Sequence, residues 1–351
     1  MRKVWQIGIA GFIFMAVLLM IVLPGCSERR AASGLFRVDR TMEVVRVTME
    51  SHDGEYLVLF QDDHNRWMVN DHIPANMRLV RDLLSTLTRM EVRRPVSLEK
   101  RDIIAKQLHD EGVRVEVFVA SYWIRLPGDI NLLPRQRSVL SFMVGYETEG
   151  GQGTFMKSSS ESTPYEVHLP GVEGGISSVF SPLEHLWRSP VVLALPPGML
   201  QSVTTRFPGK DGDSFTLQKR GDSDFLLTDY FGSPVPRENV DSMRIRRYVW
   251  AFDHLYYQRL IPGSAAHPPE DLYADDPFME MAVADTEGSD TFLSFYKRLP
   301  PADGTLLSDR RDYDPNRFYL RVNGGDYALA QYHVFQPVMR GLSWFCIKHQ
   351  E

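Results

Sequence analysis

The sequence predicts an α+β protein of two tandem, similar modules. Each is a mostly antiparallel sheet with two packed helices, and an N-terminal apolar helix acting as signal or anchor precedes them. Three observations predict this. Short runs of alternating apolar and polar residues, joined by Asp, Asn and Gly turns, read as antiparallel strands. The same order of runs returns in the second half at nearly constant spacing. From Val4 to Leu23 the chain carries no charge.

At the N-terminus, Arg2 and Lys3 supply a positive region ahead of that apolar run, the pattern of an export signal or a membrane span. A buried core helix is not expected to be this apolar on every face while standing at the extreme N-terminus behind two positive charges. Leu23-Pro24-Gly25-Cys26 resembles the bacterial lipobox, in which a small residue precedes a cysteine that is acylated and becomes the mature N-terminus. Cys26 is therefore the lipidation candidate. Pro24 is unusual at its position, and the run exceeds the ~7–15 residues of a typical signal core, so an uncleaved single span stands as the alternative. Arg29, Arg30, Arg37 and Arg40 favour a cytoplasmic C-terminal side by the positive-inside rule. Orientation of a cleavable signal is set mainly by its own positive end, so the expected location is the cell envelope, membrane-anchored and facing the periplasm or exterior. With Cys26 acylated, Cys346 is the one thiol left, in the apolar setting Trp344-Phe345-Cys346-Ile347 of a core residue.

Residues 1–26 thus form the signal peptide or anchor, and 27–40, small and charged without apolar period, a tether. The first module spans 41–190. Val45, Val47 and Met49 make one strand and Leu57 and Leu59 line a face of the next, across the turn Ser51-His52-Asp53-Gly54. A turn at Asp62 to Asn65 leads to Trp67, Met68 and Val69. Leu79, Val80, Leu83, Leu84, Leu87 and Met90 then recur at helical spacing, predicting a helix from about Ala75 to Met90. The second module spans 191–351, with the boundary near Ser189 to Gly198, where Pro190, Pro196 and Pro197 punctuate the chain.

The two modules correspond residue by residue. Val203, Thr205 and Phe207 match Val45, Val47 and Met49, and Leu217, Phe225 and Leu227 match Leu59, Trp67 and Val69, all at an offset of 158. Val240, Met243, Tyr248, Phe252 and Tyr256 answer the first helix. Val115 to Val119 resembles Met279 to Val283, and Leu140-Ser141-Phe142 resembles Leu293-Ser294-Phe295. Each module closes on Phe-x-Pro: Phe180-Ser181-Pro182 ahead of Trp187, and Phe335-Gln336-Pro337 ahead of Trp344. Proline suits the first turn of a helix, so a closing helix is expected there.

Composition excludes little. Of 351 residues, 43% are hydrophobic and 24% charged, as in ordinary globular proteins, and a net charge of −6 gives no footprint for nucleic acid. No P-loop, dinucleotide-binding glycine pattern, His-Glu-x-x-His, Gly-x-Ser-x-Gly or Cys-x-x-Cys occurs, so the reading assigns no catalytic residue, cofactor or metal. Arg220-Gly221-Asp222 spells an adhesion tripeptide, but its place matches a hairpin tip. Asp62, Asp63 and His64, Asp211 and Asp213, and Asp275 and Asp276 read as turn formers, and His52, His64 and His72 as solvated turn residues. Tyr122-Trp123 and Tyr256-Tyr257 are tandem aromatics that form either a ligand platform or core. Gly145 to Thr163 contains a mobile loop, and Arg298 to Asn316 is its long counterpart, of the kind that carries function.

Val45 to Val69 with Trp67, the helix from about Ala75 to Met90, and the parallel run Val203 to Tyr256 resemble an uncharacterised family of bacterial extracytoplasmic domains. That family is associated with gliding-motility-type ABC transporters. Duplication without a catalytic signature favours a membrane-tethered, non-enzymatic binding or accessory protein, and the resemblance implies ABC transporter subunits or another envelope complex as protein partner. The alternative is an envelope enzyme acting on glycan or peptide through loop carboxylates.

Overall fold

The computed structural model describes residues 34–126, 130–221, 224–300 and 312–347, and within 122–134 the backbone alone. These form a mixed α+β fold with antiparallel sheets, and the chain divides after Ser189 into two compact units. The apolar run Val4–Leu23, Cys26 and the stretch to Ser33 lie outside the described residues. Among those described, no helix is long and apolar enough to cross a membrane.

In the first unit, strands β1 (Val44–Glu50), β2 (Tyr56–Gln61), β3 (Trp67–Val69) and β4 (Ile73–Pro74) form a meander. Gly54 and Asn65 adopt positive φ (86° and 59°) at its tight turns, where a left-handed residue is required. Helix α1 (Met77–Arg89) follows, capped by the Asn76 side chain, which accepts from the Arg78 N–H, and buries Val80, Leu83 and Leu87. Then come β5 (Glu91–Pro95), helix α2 (Leu98–Glu111), β6 (Val113–Leu126), β7 (Ile130–Glu147), β8 (Thr154–Ser158) and β9 (Pro164–His168). A 3-10 turn at Ser177–Phe180 and helix α3 (Glu184–Trp187) end the unit. The sheet runs β4-β3-β2-β1-β6-β7-β8-β9-β5. Val47, Met49, Leu57, Leu59, Val115, Val117 and Phe142 share one buried face.

The second unit opens with β10 (Val191–Leu193), β11 (Leu200–Arg206), β12 (Phe215–Lys219) and β13 (Phe225–Asp229). Helix α4 (Ser242–Trp250) is capped by Asp241, whose carboxylate accepts from the N–H groups of Met243 and Arg244. There follow β14 (Leu255–Tyr256), β15 (Arg259–Leu260), β16 (Met279–Asp285), β17 (Asp290–Lys297), β18 (Arg317–Val322), β19 (Tyr327–Gln331) and helix α5 (Tyr332–Phe335). Its main sheet runs β13-β12-β11-β16-β17-β18-β19-β15, and β10 pairs with β14. Leaving out β4, the first sheet has the same order under the substitution of β3, β2, β1, β6, β7, β8, β9 and β5.

Several details depart from the sequence reading. Phe36 and Val38, inside the expected tether, are buried in the first core, and the Val38 N–H donates to the Leu87 carbonyl at 2.9 Å. Helix α2 was not expected; with only Ile104 and Leu108 buried, its apolar stripe is too thin to stand out. Within Gly145 to Thr163 the connecting turn is confined to 148–153, flanked by the end of β7 and the largely buried β8. The helix expected from Val240 to Tyr256 stops at Trp250, and Tyr256 lies on a short strand. No long closing helix forms. Pro182 precedes the single turn α3, and Pro337 follows α5 instead of starting it.

Two alignments also shift. Strand β1 has its bulge between Val44 and Arg46, and β11 has its own between Leu200 and Ser202. These bulges pair Val44 with Leu200, an offset of 156, whereas β2 and β3 keep 158, with Leu59↔Val69 answered by Leu217↔Leu227. The hairpin loop after β11 is correspondingly two residues longer. A slip of two leaves every side chain on its own face, so alternation alone could not detect it. At the close, the Asn76 N–H donates to the Trp187 carbonyl and the Asp241 N–H to that of Phe345. Phe345, fully buried, thus takes the place of Trp187, and Trp344 lies half-buried beneath Arg340 and Arg244.

Candidate functional site

The residues singled out in the sequence do not gather. His52, His64 and His72 are exposed at separate turns, Asp62 accepts from its own turn's N–H groups, and among the described residues no three His, Cys, Asp or Glu side chains come together as a metal site. Arg220 and Gly221 sit at the expected hairpin tip, while Asp222 lies outside the described residues. Tyr256 is exposed and Tyr257 packs on the second core. The side chains of Tyr122 and Trp123, like Cys26, lie outside the described residues. Cys346 is half-buried, its thiol 3.7 Å from the Leu342 carbonyl oxygen.

A large concavity lies among the described residues of the second unit, at the end of its sheet where β11, β17 and β19 finish and β16 and β18 begin. Its volume is about 940 Å³, near the upper end of the ~300–1,000 Å³ typical of ligand sites. Each wall follows from a local cause. Phe207, Pro208 and Lys210 come from the longer loop after β11, folded back by the Phe207 N–H on the buried Ser214 hydroxyl (2.9 Å) and the Lys210 N–H on the Phe207 carbonyl (2.8 Å). Phe278, immediately before β16, packs near Phe295, Phe318 and Tyr332 to form an aromatic floor. Lys297 closes β17.

Opposite stand Tyr313, Pro315 and Asn316, fixed by a clamp at the two ends of the long loop. Arg298 donates from Nε to Asp271 (2.6 Å) and from Nη1 to Asp314 (3.0 Å), while the Asp314 N–H donates to the Arg298 carbonyl (2.8 Å). Asp314 is buried, and its second oxygen accepts from the N–H groups of Asn316 and Arg317. The Tyr319 hydroxyl donates to Asp271, and burial together with that carboxylate pushes its pKa up to about 12. Thus the acidic groups beneath the cleft are committed to the clamp.

The cleft itself is cationic. Lys297 Nζ rests 4.4 Å from the Tyr313 ring centre and 5.6 Å from that of Tyr273, a geometry that holds the ammonium in place without neutralising it. Lys210 adds a second positive charge, and no carboxylate is among the described lining residues. The side-chain amides of Asn316, Gln331 and Gln336 reach the cleft without a hydrogen bond to another described residue. Tyr332 is held neutral, its pKa pushed up to about 12 by burial first and then by Tyr313 and Asp314. It is a hydroxyl donor at neutral pH.

Among the described residues, the same end of the first sheet carries an added segment and smaller concavities, of about 230 and 270 Å³. After β9 the chain runs through residues 169–176 before its 3-10 turn, and the buried Ile176 anchors that segment through its N–H on the buried Thr154 hydroxyl (2.8 Å). In the second unit β19 passes straight into α5, so that plug is missing and the sheet end stays open. Sequence reasoning flagged only Asn316 and the loop Arg298 to Asn316. The one further sign was the missing stretch between Gln331 and the Phe-x-Pro element. Neither family models, nor curated proteins, nor solved structures give a significant match to this chain.

Proposed function

We propose that this chain is a membrane-tethered, extracytoplasmic, non-enzymatic binding component built from two duplicated modules, an accessory of an ABC-type transporter or another cell-envelope complex. The observation that carries the reading is the identical eight-strand order of the two sheets, combined with a much larger concavity at the end of the second among the described residues. A duplicated fold in which one copy keeps its plug and the other loses it leaves one structural unit and one with a ligand-sized concavity. The envelope address is supported by Arg2 and Lys3, the charge-free run to Leu23, and Cys26 behind Gly25.

In this reading Cys26 carries the lipid and the cleft faces the periplasm or exterior. Mass spectrometry of membrane-extracted protein should find a lipid-modified N-terminal peptide beginning at Cys26, and Cys26→Ala should abolish it. A mature chain that retains Met1 to Gly25 would establish an uncleaved span. Detergent extraction under mild conditions should co-purify transporter subunits with the full chain; turnover of a cell-wall glycan or peptide by the purified protein would overturn the non-enzymatic assignment.

A further inference from the structure

Resting on the reading of the second unit as a binding module, we infer that its cleft takes an anionic carbohydrate, a sugar bearing a carboxylate. Three features select that chemistry. The amides of Asn316, Gln331 and Gln336 each offer a donor and an acceptor, the pairing that neighbouring sugar hydroxyls require, and none is spent on another described residue. The rings of Phe207, Phe278 and Tyr332 give apolar faces for the C–H side of a pyranose. Lys210 and Lys297 stand on two different elements, the loop after β11 and the end of β17, with no carboxylate among the described lining residues to pair with, so they select a negative ligand through charge-assisted hydrogen bonds.

The placement of Lys297 strengthens the argument. A lysine on an open surface loses much rotamer freedom when it binds. Here the Tyr313 and Tyr273 rings already hold the ammonium, so less remains to be lost. The clamp beneath adds to this, because Arg298 offsets one of the two negative charges of Asp314 and Asp271 and so lowers the repulsion an anion meets at the base of the cleft.

The test is titration calorimetry on the full-length protein in detergent micelles, with trigalacturonate, the neutral galactose trimer and inorganic phosphate as probes. The acidic trimer should bind at least tenfold more tightly than the neutral one, and more weakly as salt is raised. Lys297→Met and Lys210→Gln should each weaken the acidic trimer about tenfold without changing the thermal melting of the protein, and Lys210, exposed on its loop, is the variant that leaves folding untouched. Gln331→Ala should weaken both trimers. The inference falls if neither trimer binds, if the two bind alike, or if phosphate alone displaces the acidic trimer at equal concentration, which would make the cleft a simple anion site. None of these results touches Cys26 acylation or transporter co-purification, so failure here is distinct from failure of the accessory reading.

Discussion

Replacing Asp314 isolates what holds the cleft together. Its carboxylate is 3% exposed and accepts from Arg298 Nη1 at 3.0 Å and from the N–H groups of Asn316 and Arg317 at 2.8 and 3.1 Å. Removing one member of a buried ion pair costs about 3–5 kcal/mol when the partner is left uncompensated. Arg298 keeps Asp271 at 2.6 Å, which lowers the loss, while two backbone donors lose their acceptor, which raises it. We expect Asp314→Ala to destabilise the second unit by about 2–4 kcal/mol, and Asp314→Asn, which keeps an oxygen for the backbone donors, by about 1–2 kcal/mol. Hydrogen-exchange mass spectrometry of the full-length protein reads this unit by unit, with first-unit peptides as internal reference, because two domains need not share one unfolding transition. Exchange in second-unit peptides within about 0.5 kcal/mol of wild type for both variants would refute the clamp.

Other outcomes follow from the same packing. Trp67, 5% exposed, should cost about 3–5 kcal/mol on substitution by Ala, and the half-buried Trp344 under its two arginines about 1–2 kcal/mol, measured by denaturant melts with exchange as the local readout. Asp241→Ala should cost about 1–2 kcal/mol and exceed Asn76→Ala, since Asp241 satisfies two helix N–H groups and Asn76 one. The Tyr319 and Tyr332 phenols are raised to about 12 in the folded protein. The unfolded phenols ionise near ~10, so the folded state binds more protons above that value. The resulting stability is complete below ~10 and is lost as pH rises towards 12. Thermal melts of the second unit should fall across that window, less so in Tyr332→Phe.

What the sequence disclosed and what it hid have physical causes. Strands β1 to β3 and helix α1 were legible because each buries one clean face, with Leu57, Leu59, Val80, Leu83 and Leu87 at strand and helix periods. Strand β5 was not, since Glu-Val-Arg-Arg-Pro buries only Val92 at a sheet edge. Tyr296, Tyr319, Tyr327 and Leu329 form a small second cluster beneath Ile261 and Leu272, a face that alternation alone would have left to solvent. The cleft was least legible, because residues on the loop after β11, at the end of β17, before β18 and on α5 line it, and they are spread over more than a hundred positions of the chain. Its opening depends on a missing segment, which leaves no residue to notice.

The position of β5 carries a consequence for how the first unit is made. After α1 the chain crosses to the far edge of the sheet, and β5 waits there without a neighbour until β9 arrives at Pro164 to pair with it. Even then the other edge is unfinished, because the Asn76 N–H finds its acceptor only at Trp187 and the Ser189 N–H returns to the carbonyl of Pro74. The first hydrogen bonds of the meander are local and quick, but the ones that complete both rims join residues far apart and come last. A chain made from its N-terminus therefore cannot finish its first unit before residue 189 has been added. Any fragment ending short of Ser189 leaves an unsealed sheet rim, prone to pairing with another chain.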